Sequence, residues 1–176
     1  MSQSTIACVF PGQGSQSQGM LNELAASTPI VAETFAQASA ALGYDLWDVV
    51  VNDPNEELNQ THVTQPALLT ASVAIYRALQ DVAPFTPSIM AGHSLGEYSA
   101  LVCSGVLSLE DGVKLVKARG EFMQAAVKPG AGAMYAIIGL DDVAIIAACA
   151  QAQTDSGEVV AAVNFNSPGQ VVIAGT

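Results

Sequence analysis

The stretch that most constrains the fold covers residues 89–98, with the sequence IMAGHSLGEY. Its apolar start runs into a Gly-x-Ser-x-Gly turn, and helix-forming sequence follows at once over residues 95–103. A tight strand-to-helix turn forces its serine outward, and the flanking glycines make room for the crowded backbone. The order predicts a nucleophile elbow in an α/β fold, with Ser94 as the nucleophile and the Leu95 amide at a helix N-terminus, where it can stabilise an oxyanion. A glycine-flanked turn with a solvated serine is the alternative that the pentapeptide alone leaves open.

The composition is that of a globular α/β chain. Of its 176 residues, 51% are apolar and 12% are charged, and no apolar run reaches the length that spans a membrane. The N-terminus lacks a basic segment followed by an apolar core, so we expect no export signal and a cytoplasmic location. Cys8, Cys103 and Cys149 are widely separated and have small apolar neighbours. They are expected to be buried and reduced, and to form neither a disulfide framework nor a metal site.

The charge pattern argues against one class of ligand and favours another. A net charge of −11 argues against nucleic acid, which requires a basic surface. Four of the five basic residues nevertheless fall in one segment, namely Lys114, Lys117, Arg119 and Lys128. An acidic ligand is therefore expected at this segment, although a solvated helix face is the simpler explanation for the three lysines.

Alternating helix and strand patterns predict the domain organisation. Strands are predicted at 6–10 and 88–91 and helices at 28–42, 65–79 and 95–103, which is a doubly wound arrangement around a parallel sheet. A further helix begins at Ser108, with an apolar face of Val113, Val116, Met123 and Val127, and ends at Pro129-Gly130. We place a domain boundary there, between segments 1–130 and 131–176.

The second segment predicts half of a small α+β unit. It comprises a strand at 134–139, a helix at 142–151 and strands at 159–164 and 170–175, joined by a turn at 166–169. Strand, helix, strand and strand in this order form the first half of a ferredoxin-like unit. Its second helix and last strand are missing from the sequence.

Ser94 needs a general base, and the chain offers two histidines. A hydroxyl is a weak nucleophile at neutral pH, and the base that activates it is nearly always a histidine. His93 adjoins Ser94, but neighbouring side chains diverge around a sharp turn, so we expect His93 to have a structural role in the elbow. His62 is expected in a solvated polar loop ahead of the Pro66 helix. The sequence therefore predicts that the general base is absent from these 176 residues.

Five motifs together are more specific than the elbow alone. They are FPGQGSQ at 10–16, TQPAL at 64–68, GHSLGEYSA at 92–100, RG at 119–120 and VNFNSPGQ at 163–170. In this order they resemble the malonyl-CoA:acyl carrier protein transacylases, an acyltransferase family of bacterial fatty-acid synthesis. The resemblance implies an α/β-hydrolase-like large domain with an inserted ferredoxin-like small domain, both incomplete here. It also implies ping-pong transfer of malonyl from malonyl-CoA, through malonyl-Ser94, to the phosphopantetheine thiol of acyl carrier protein.

The resemblance assigns roles to residues of the large domain. The Gln13 amide would complete the oxyanion hole with the Leu95 amide, and Gln65 would line the pocket. Arg119 would bind the malonyl carboxylate. The catalytic histidine of the family lies after the small domain, in a part that this sequence does not contain.

The remaining implications concern the small domain and the assembly. Asn164 and Asn166, in the loop region of the small domain, would approach the substrate, although a turn-forming role explains both asparagines equally well. No metal and no permanently bound cofactor are implied, because the coenzyme A thioester is a substrate. The full-length enzyme is expected to be a monomer whose partner is acyl carrier protein, with no nucleic acid and no membrane.

Two other functions stay open at this point. A serine esterase or thioesterase uses the same elbow in the order Ser, Asp, His and would release free acid. A non-catalytic fragment that holds coenzyme A or the carrier would explain the absent base. Because the last predicted strand lacks neighbours and would expose apolar surface, we expect that the chain is a fragment and that it is inactive by itself.

Overall fold

A computed structural model describes residues 5–128 and 130–176. The chain divides into two compact units, Met1–Gln124 and Ala125–Thr176. The division lies within the last turn of a helix, a few residues before the boundary predicted at 130/131. That prediction included Pro129, which lies outside the described residues.

The first unit combines a short parallel strand pair with helices, which confirms the α/β class. Its elements are β1 (Ala7–Phe10), α1 (Asn22–Ser27), α2 (Pro29–Leu42), α3 (Leu46–Asn52), α4 (Thr61–Val82), β2 (Ile89–Gly92), α5 (Leu95–Cys103) and α6 (Leu109–Ala126). Strands β1 and β2 pair in parallel, from Ala7 opposite Ile89 to Phe10 opposite Gly92. Both strands therefore end at the same edge, where an open α/β sheet presents its binding loops.

The core of this unit forms around α4. More than half of the residues in α4 are buried, and Leu69 at its centre is fully enclosed. Phe35 of α2, Leu46 of α3 and Val116 of α6 are also fully buried and belong to the same apolar cluster. The cluster fixes α4 between its neighbours, so side chains near the start of α4 have defined positions.

Local signals set both ends of α2 and the start of α6 as predicted, whereas α6 ends at Ala126, before the predicted end at 129–130. Helix α2 begins after Thr28, whose hydroxyl accepts a hydrogen bond from the Ile30 amide (3.4 Å), and ends at Gly43, whose φ of 80° is left-handed. Helix α6 begins after Ser108, whose hydroxyl accepts from the Asp111 amide (3.0 Å).

The second unit is a three-stranded antiparallel sheet with one helix. Its elements are β3 (Ala133–Ile138), α7 (Asp142–Ser156), β4 (Val160–Ser167) and β5 (Gln170–Gly175), in the order β3-β5-β4. Ile145 and Cys149 of α7 pack with Val171 of β5 in a small separate core. The predicted strand, helix, strand, strand order is confirmed.

Three predictions from the sequence are wrong in detail, and one helix was missed. Helix α4 begins at Thr61, so His62 lies in a helix and is half-buried instead of lying in a solvated loop. Helix α1 was not predicted. Met123 and Val127 are about half exposed (50% and 52%) and do not continue the buried face of α6. Strand β4 continues to Ser167, so Asn164 lies within the strand as its predicted bounds require, whereas Asn166 lies in the strand and not in the turn predicted at 166–169.

No helix in the described part of the chain is both long enough and apolar enough to cross a membrane.

Candidate active site

The elbow predicted between β2 and α5 is present, and its backbone is strained. Ser94 has φ 53° and ψ −103°, a conformation that costs a side-chain-bearing residue about 1–3 kcal/mol. The two flanking glycines explain how the turn closes. A Cβ on Gly92 would lie 1.8 Å from the Gly96 carbonyl carbon, and a Cβ on Gly96 would lie 2.2 Å from the Phe10 carbonyl oxygen. Only glycine fits at either position, which is the physical reason for the Gly-x-Ser-x-Gly spacing.

The Ser94 side chain is exposed and is not used to cap the helix that follows. It occupies the residue before α5, yet its hydroxyl makes no capping hydrogen bond. Leu95 is the first residue of α5, so its amide has no acceptor within the helix. An exposed hydroxyl and a helix N-terminus thus lie side by side, an arrangement that is compatible with acyl transfer.

Arg119 brings a positive charge directly to the serine. Its Nη2 donates to Ser94 Oγ (3.0 Å), and its Nη1 donates to Gln65 Oε1 (2.8 Å). The guanidinium also lies 5.6 Å from the centre of the Tyr98 ring, within range of a cation–π contact. Three elements, α4, α5 and α6, therefore fix a half-buried guanidinium beside the hydroxyl.

Gln65 is the buried centre of this arrangement. Its side chain is fully enclosed, and its Nε2 donates to Met123 Sδ (3.4 Å) while its Oε1 accepts from Arg119. Sequence reasoning missed both Tyr98 and Met123. Met123 lies four residues after Arg119 on α6, a spacing that places both side chains on one helix face and would have identified Met123. Tyr98 lies on α5, which begins only after Ser94, so helical spacing from Ser94 does not identify it.

The loop after β1 lies against the elbow. A Cβ on Gly12 would come within 2.9 Å of His93 Nδ1, and the His93 amide donates to the Phe10 carbonyl (3.2 Å). The Gln13 side chain reaches the start of α4, where its Nε2 donates to Thr61 Oγ1 (3.5 Å). The loop and the elbow are thus neighbours, and the oxyanion role of the Gln13 amide stays a prediction.

His62 is held by the crossing of α4 and α6. Its Nδ1 donates to Gln124 Oε1 (2.8 Å), and a Cβ on Gly120 would lie 2.5 Å from the His62 Cα atom. The Arg-Gly motif therefore combines a cation with a close helix crossing. These contacts explain the presence of His62 by helix packing, which agrees with the prediction that His62 is not the general base.

Asn164 and Asn166 belong to the second unit. Both are exposed on β4, where the register with β5 shifts between Ala162 and Asn164 and again between Phe165 and Ser167. The second shift leaves Asn166 in a bulge, which is a common way to redirect a side chain. Their predicted approach to substrate stays a prediction.

The lysines and cysteines have ordinary environments. Lys114 and Lys128 are exposed, and Lys117 Nζ lies 5.5 Å from the centre of the Tyr44 ring. All three thiols are free, and burial raises the pKa of Cys103 to about 12. Within residues 5–128 and 130–176, no cluster of three or more His, Cys, Asp or Glu side chains is placed to hold a metal ion.

Cavity volume does not identify the site in this unit. A cavity of about 770 Å³ runs along β2 and α5, but neither Ser94 nor Arg119 lines it. It is lined by no residue of β1, so it follows the edge of β2 that β1 does not cover. The hydrogen bonds of Arg119 are the better guide to a candidate site, because they join the exposed Ser94 hydroxyl to the buried Gln65 amide.

Comparison with known proteins agrees with the motifs. The acyl transferase domain family matches residues 7–176. The malonyl CoA-acyl carrier protein transacylase of Haemophilus influenzae is 68% identical over 170 residues, which cover 96% of this chain and 54% of that protein. The chain thus spans about half the length of the curated relatives it matches.

Solved structures with the same fold carry related names. An acyl carrier protein S-malonyltransferase from Vibrio cholerae superposes with a TM-score of 0.90 at 62% identity, covering 98% of this chain and 56% of that one. A type II PKS acyl-carrier protein in complex with its malonyl-transacylase gives a TM-score of 0.92 at 59% identity, covering 98% of this chain and 55% of that one.

Proposed function

Because the chain belongs to the acyl transferase domain family, we propose that it carries the nucleophile and the carboxylate-binding residues of a malonyl-CoA:acyl carrier protein transacylase. The single observation that supports the substrate best is the double hydrogen bonding of Arg119, to Ser94 Oγ and to Gln65 Oε1. A fixed guanidinium beside the nucleophile suits an acyl group that is itself an anion. An esterase for neutral substrates has no use for such a charge.

The proposed reaction has two half-reactions through Ser94. Its Oγ attacks the malonyl thioester carbon, and a general base takes the hydroxyl proton. The oxyanion forms beside the Leu95 and Gln13 amides. The C–S bond then breaks, and coenzyme A leaves as its thiol. In the second half-reaction the carrier thiol attacks the serine ester, the ester C–O bond breaks, and Ser94 regains its proton.

The length of a malonyl group fits the proposed site. The Arg119 Nη2 atom lies 3.0 Å from Ser94 Oγ, so a carboxylate on this guanidinium must lie close to the nucleophile. In malonyl the thioester and carboxylate carbons are separated by one methylene, about 2.5 Å apart from ordinary bond lengths. The acyl carbon can then approach Oγ to about 3–3.5 Å while the carboxylate contacts Arg119. Acetyl lacks the carboxylate and would leave Arg119 without its anionic partner.

The base in this proposal is the family histidine that follows the small domain, outside these 176 residues. The hydrogen bond from His62 to Gln124 and the close packing of Gly120 against the His62 backbone are consistent with this assignment, because they give His62 a packing role where α4 crosses α6. The proposal leaves His93 with a structural role in the elbow.

The proposal extends to the fold, the partner and the location. The first unit is the start of an α/β-hydrolase-like large domain, and the sheet order β3-β5-β4 supports a ferredoxin-like small domain inserted into it. The name of the structural neighbour that contains an acyl-carrier protein supports such a partner here. We also propose a cytoplasmic monomer without a permanent cofactor, in which Asn164 and Asn166 approach the substrate.

The test uses a full-length enzyme made by joining residues 1–176 to the C-terminal portion of the Haemophilus influenzae relative that lies beyond the matched region. Mixed with malonyl-CoA, this fusion should gain one malonyl group at Ser94, detected by intact-protein and peptide mass spectrometry. Added carrier protein should then remove the group and become malonylated. The Ser94→Ala fusion should do neither.

Two outcomes would contradict the proposal. Steady release of free malonate without a carrier would indicate a hydrolase, and absence of a malonyl-enzyme would indicate a binding protein. As a further control, residues 1–176 alone should show no acylation at a comparable rate, because the proposed base lies outside them. Acylation at that rate would assign the base to His62 or His93.

A further inference from the structure

We propose that Met123 is a positioning residue for Arg119, acting through Gln65, and that its thioether thereby contributes to selection of a carboxylate-bearing acyl group. The inference rests on the proposed function, since it concerns how the carboxylate-binding guanidinium is held. It concerns a hydrogen-bonded chain of three side chains: Met123 Sδ, the Gln65 amide, and Arg119 (3.4 Å and 2.8 Å).

The argument begins with the symmetry of a glutamine amide. Its oxygen and its NH₂ group have nearly the same shape, so packing alone does not decide which of them faces a neighbour. Gln65 is fully buried, so its packing holds the amide in place while leaving this choice open. Hydrogen-bonding partners at the two ends of the amide must make the choice.

Arg119 can only donate, so it requires the amide oxygen. If the Gln65 amide were reversed, two donors would face each other in a buried site, and the guanidinium would lose the acceptor that holds its Nη1. It would then turn away from Gln65, and Nη2 would lose its alignment with Ser94 Oγ. The orientation of Gln65 therefore controls where the positive charge points.

Met123 favours the same orientation of the Gln65 amide from its other end. A thioether accepts hydrogen bonds weakly and donates none. The Met123 sulfur therefore favours the orientation in which the NH₂ group of the Gln65 amide faces it. Met123 lies one helical turn after Arg119 on α6. The same rigid helix thus carries the cation and the group that orients the acceptor of that cation. This explains why an apolar residue stays half exposed beside a polar site.

The test is Met123→Leu in the full-length fusion, which keeps the size of the side chain and removes the sulfur acceptor. The expected result is a fall of about three- to tenfold in the ratio of kcat/KM for malonyl-CoA to kcat/KM for acetyl-CoA, in proportion to a weak sulfur contact. The change should arise mainly from a higher KM for malonyl-CoA, with acetyl transfer unchanged. Phe122→Leu is the matched control, because Phe122 is the adjacent residue and is 75% exposed; its ratio should equal that of the parent fusion.

A double-mutant cycle with Gln65→Leu separates positioning from direct contact. If Met123 acts through Gln65, the ratio in Gln65→Leu/Met123→Leu should equal that in Gln65→Leu alone. Independent effects that multiply, or an unchanged ratio in Met123→Leu, would overturn the inference. The ratio is measured within one preparation, so partial unfolding of a variant cancels. A parent fusion with no preference for malonyl-CoA would instead refute the proposed function, and the two failures are therefore distinguishable.

Discussion

Replacing Arg119 with alanine in the full-length fusion should remove the preference for malonyl-CoA over acetyl-CoA. The guanidinium has one nitrogen committed to Gln65 (2.8 Å) and another beside Ser94 (3.0 Å), which is the nitrogen available to a carboxylate. A hydrogen bond between charged groups contributes about 1.5–3 kcal/mol. Arg119 is only half-buried, so solvent screens its ionic attraction to the carboxylate, and we expect one such bond to contribute about 2–3 kcal/mol to transition-state binding. Its loss corresponds to roughly a 30- to 150-fold fall in kcat/KM for malonyl-CoA.

The assay compares both thioesters on one preparation. Acetyl transfer should stay the same or rise, because acetyl has no carboxylate to contact Arg119 and no longer leaves a guanidinium beside it without an anionic partner. Arg119→Lys should recover only part of the malonyl rate, since one ammonium cannot contact Gln65 and a carboxylate in the same fork geometry.

Arg77→Ala is the matched control for Arg119→Ala. Arg77 is also a half-buried arginine with two neutral partners, because its Nη1 donates to Gln37 Oε1 (2.9 Å) and to Thr34 Oγ1 (3.2 Å). Both variants should melt at lower temperature, because both leave polar groups unpaired. Only Arg119→Ala should change the ratio of malonyl to acetyl turnover. An unchanged ratio in that variant would refute the role of Arg119 in reading the carboxylate.

Three further outcomes are expected. Gly96→Ala should abolish acylation and destabilise the first unit, since its Cβ would lie 2.2 Å from a backbone oxygen of β1, and native-like melting together with native-like acylation would contradict the packing argument. The hydrogen bond from Gln37 lowers the pKa of Glu110 below its ordinary value of 4.5, so its contribution to stability is present above that value and is lost as the pH falls through the folded-state pKa. Glu110→Gln should therefore flatten the fall in melting temperature below about pH 4.5, and identical pH profiles would argue against the effect. Lys114→Glu with Lys117→Glu should slow malonyl transfer to the acidic carrier but not acylation by malonyl-CoA, as measured separately for the two half-reactions, and equal slowing of both would place these lysines elsewhere.

The sequence predicted those features that depend on local chemistry. The elbow follows from steric limits that act within five residues, and Gly92 and Gly96 satisfy them with backbone contacts alone. The start of α2 follows from Thr28 and the proline after it. Contacts between residues that are far apart in the chain could not be predicted in this way. Physical reasoning from the sequence could not bring Arg119 to Ser94, and only the resemblance to a family suggested their proximity.

The errors have identifiable causes. Pro66 suggested the start of a helix, because proline is favoured in a first turn. Helix α4 nevertheless begins five residues before this proline, at Thr61, and contains Pro66 inside the helix beyond its first turn, where a proline removes one backbone hydrogen bond of the helix. Helix α1 follows Leu21, a left-handed residue without a side-chain cap, so it carries no signal in the sequence. The Asn-Ser-Pro-Gly sequence suggested a four-residue turn, but β4, with two register shifts against β5, continues through the first half of it, to Ser167.

The positive φ of Ser94 implies a trade-off between thermal stability and the proposed activity. Glycine adopts a φ of 53° without strain, so Ser94→Gly would release an energy of about 1–3 kcal/mol that the active protein carries at all times. Selection for thermal stability alone would thus favour loss of the residue that the proposed function makes the nucleophile. Serine is retained at this position only where selection also acts on catalytic activity.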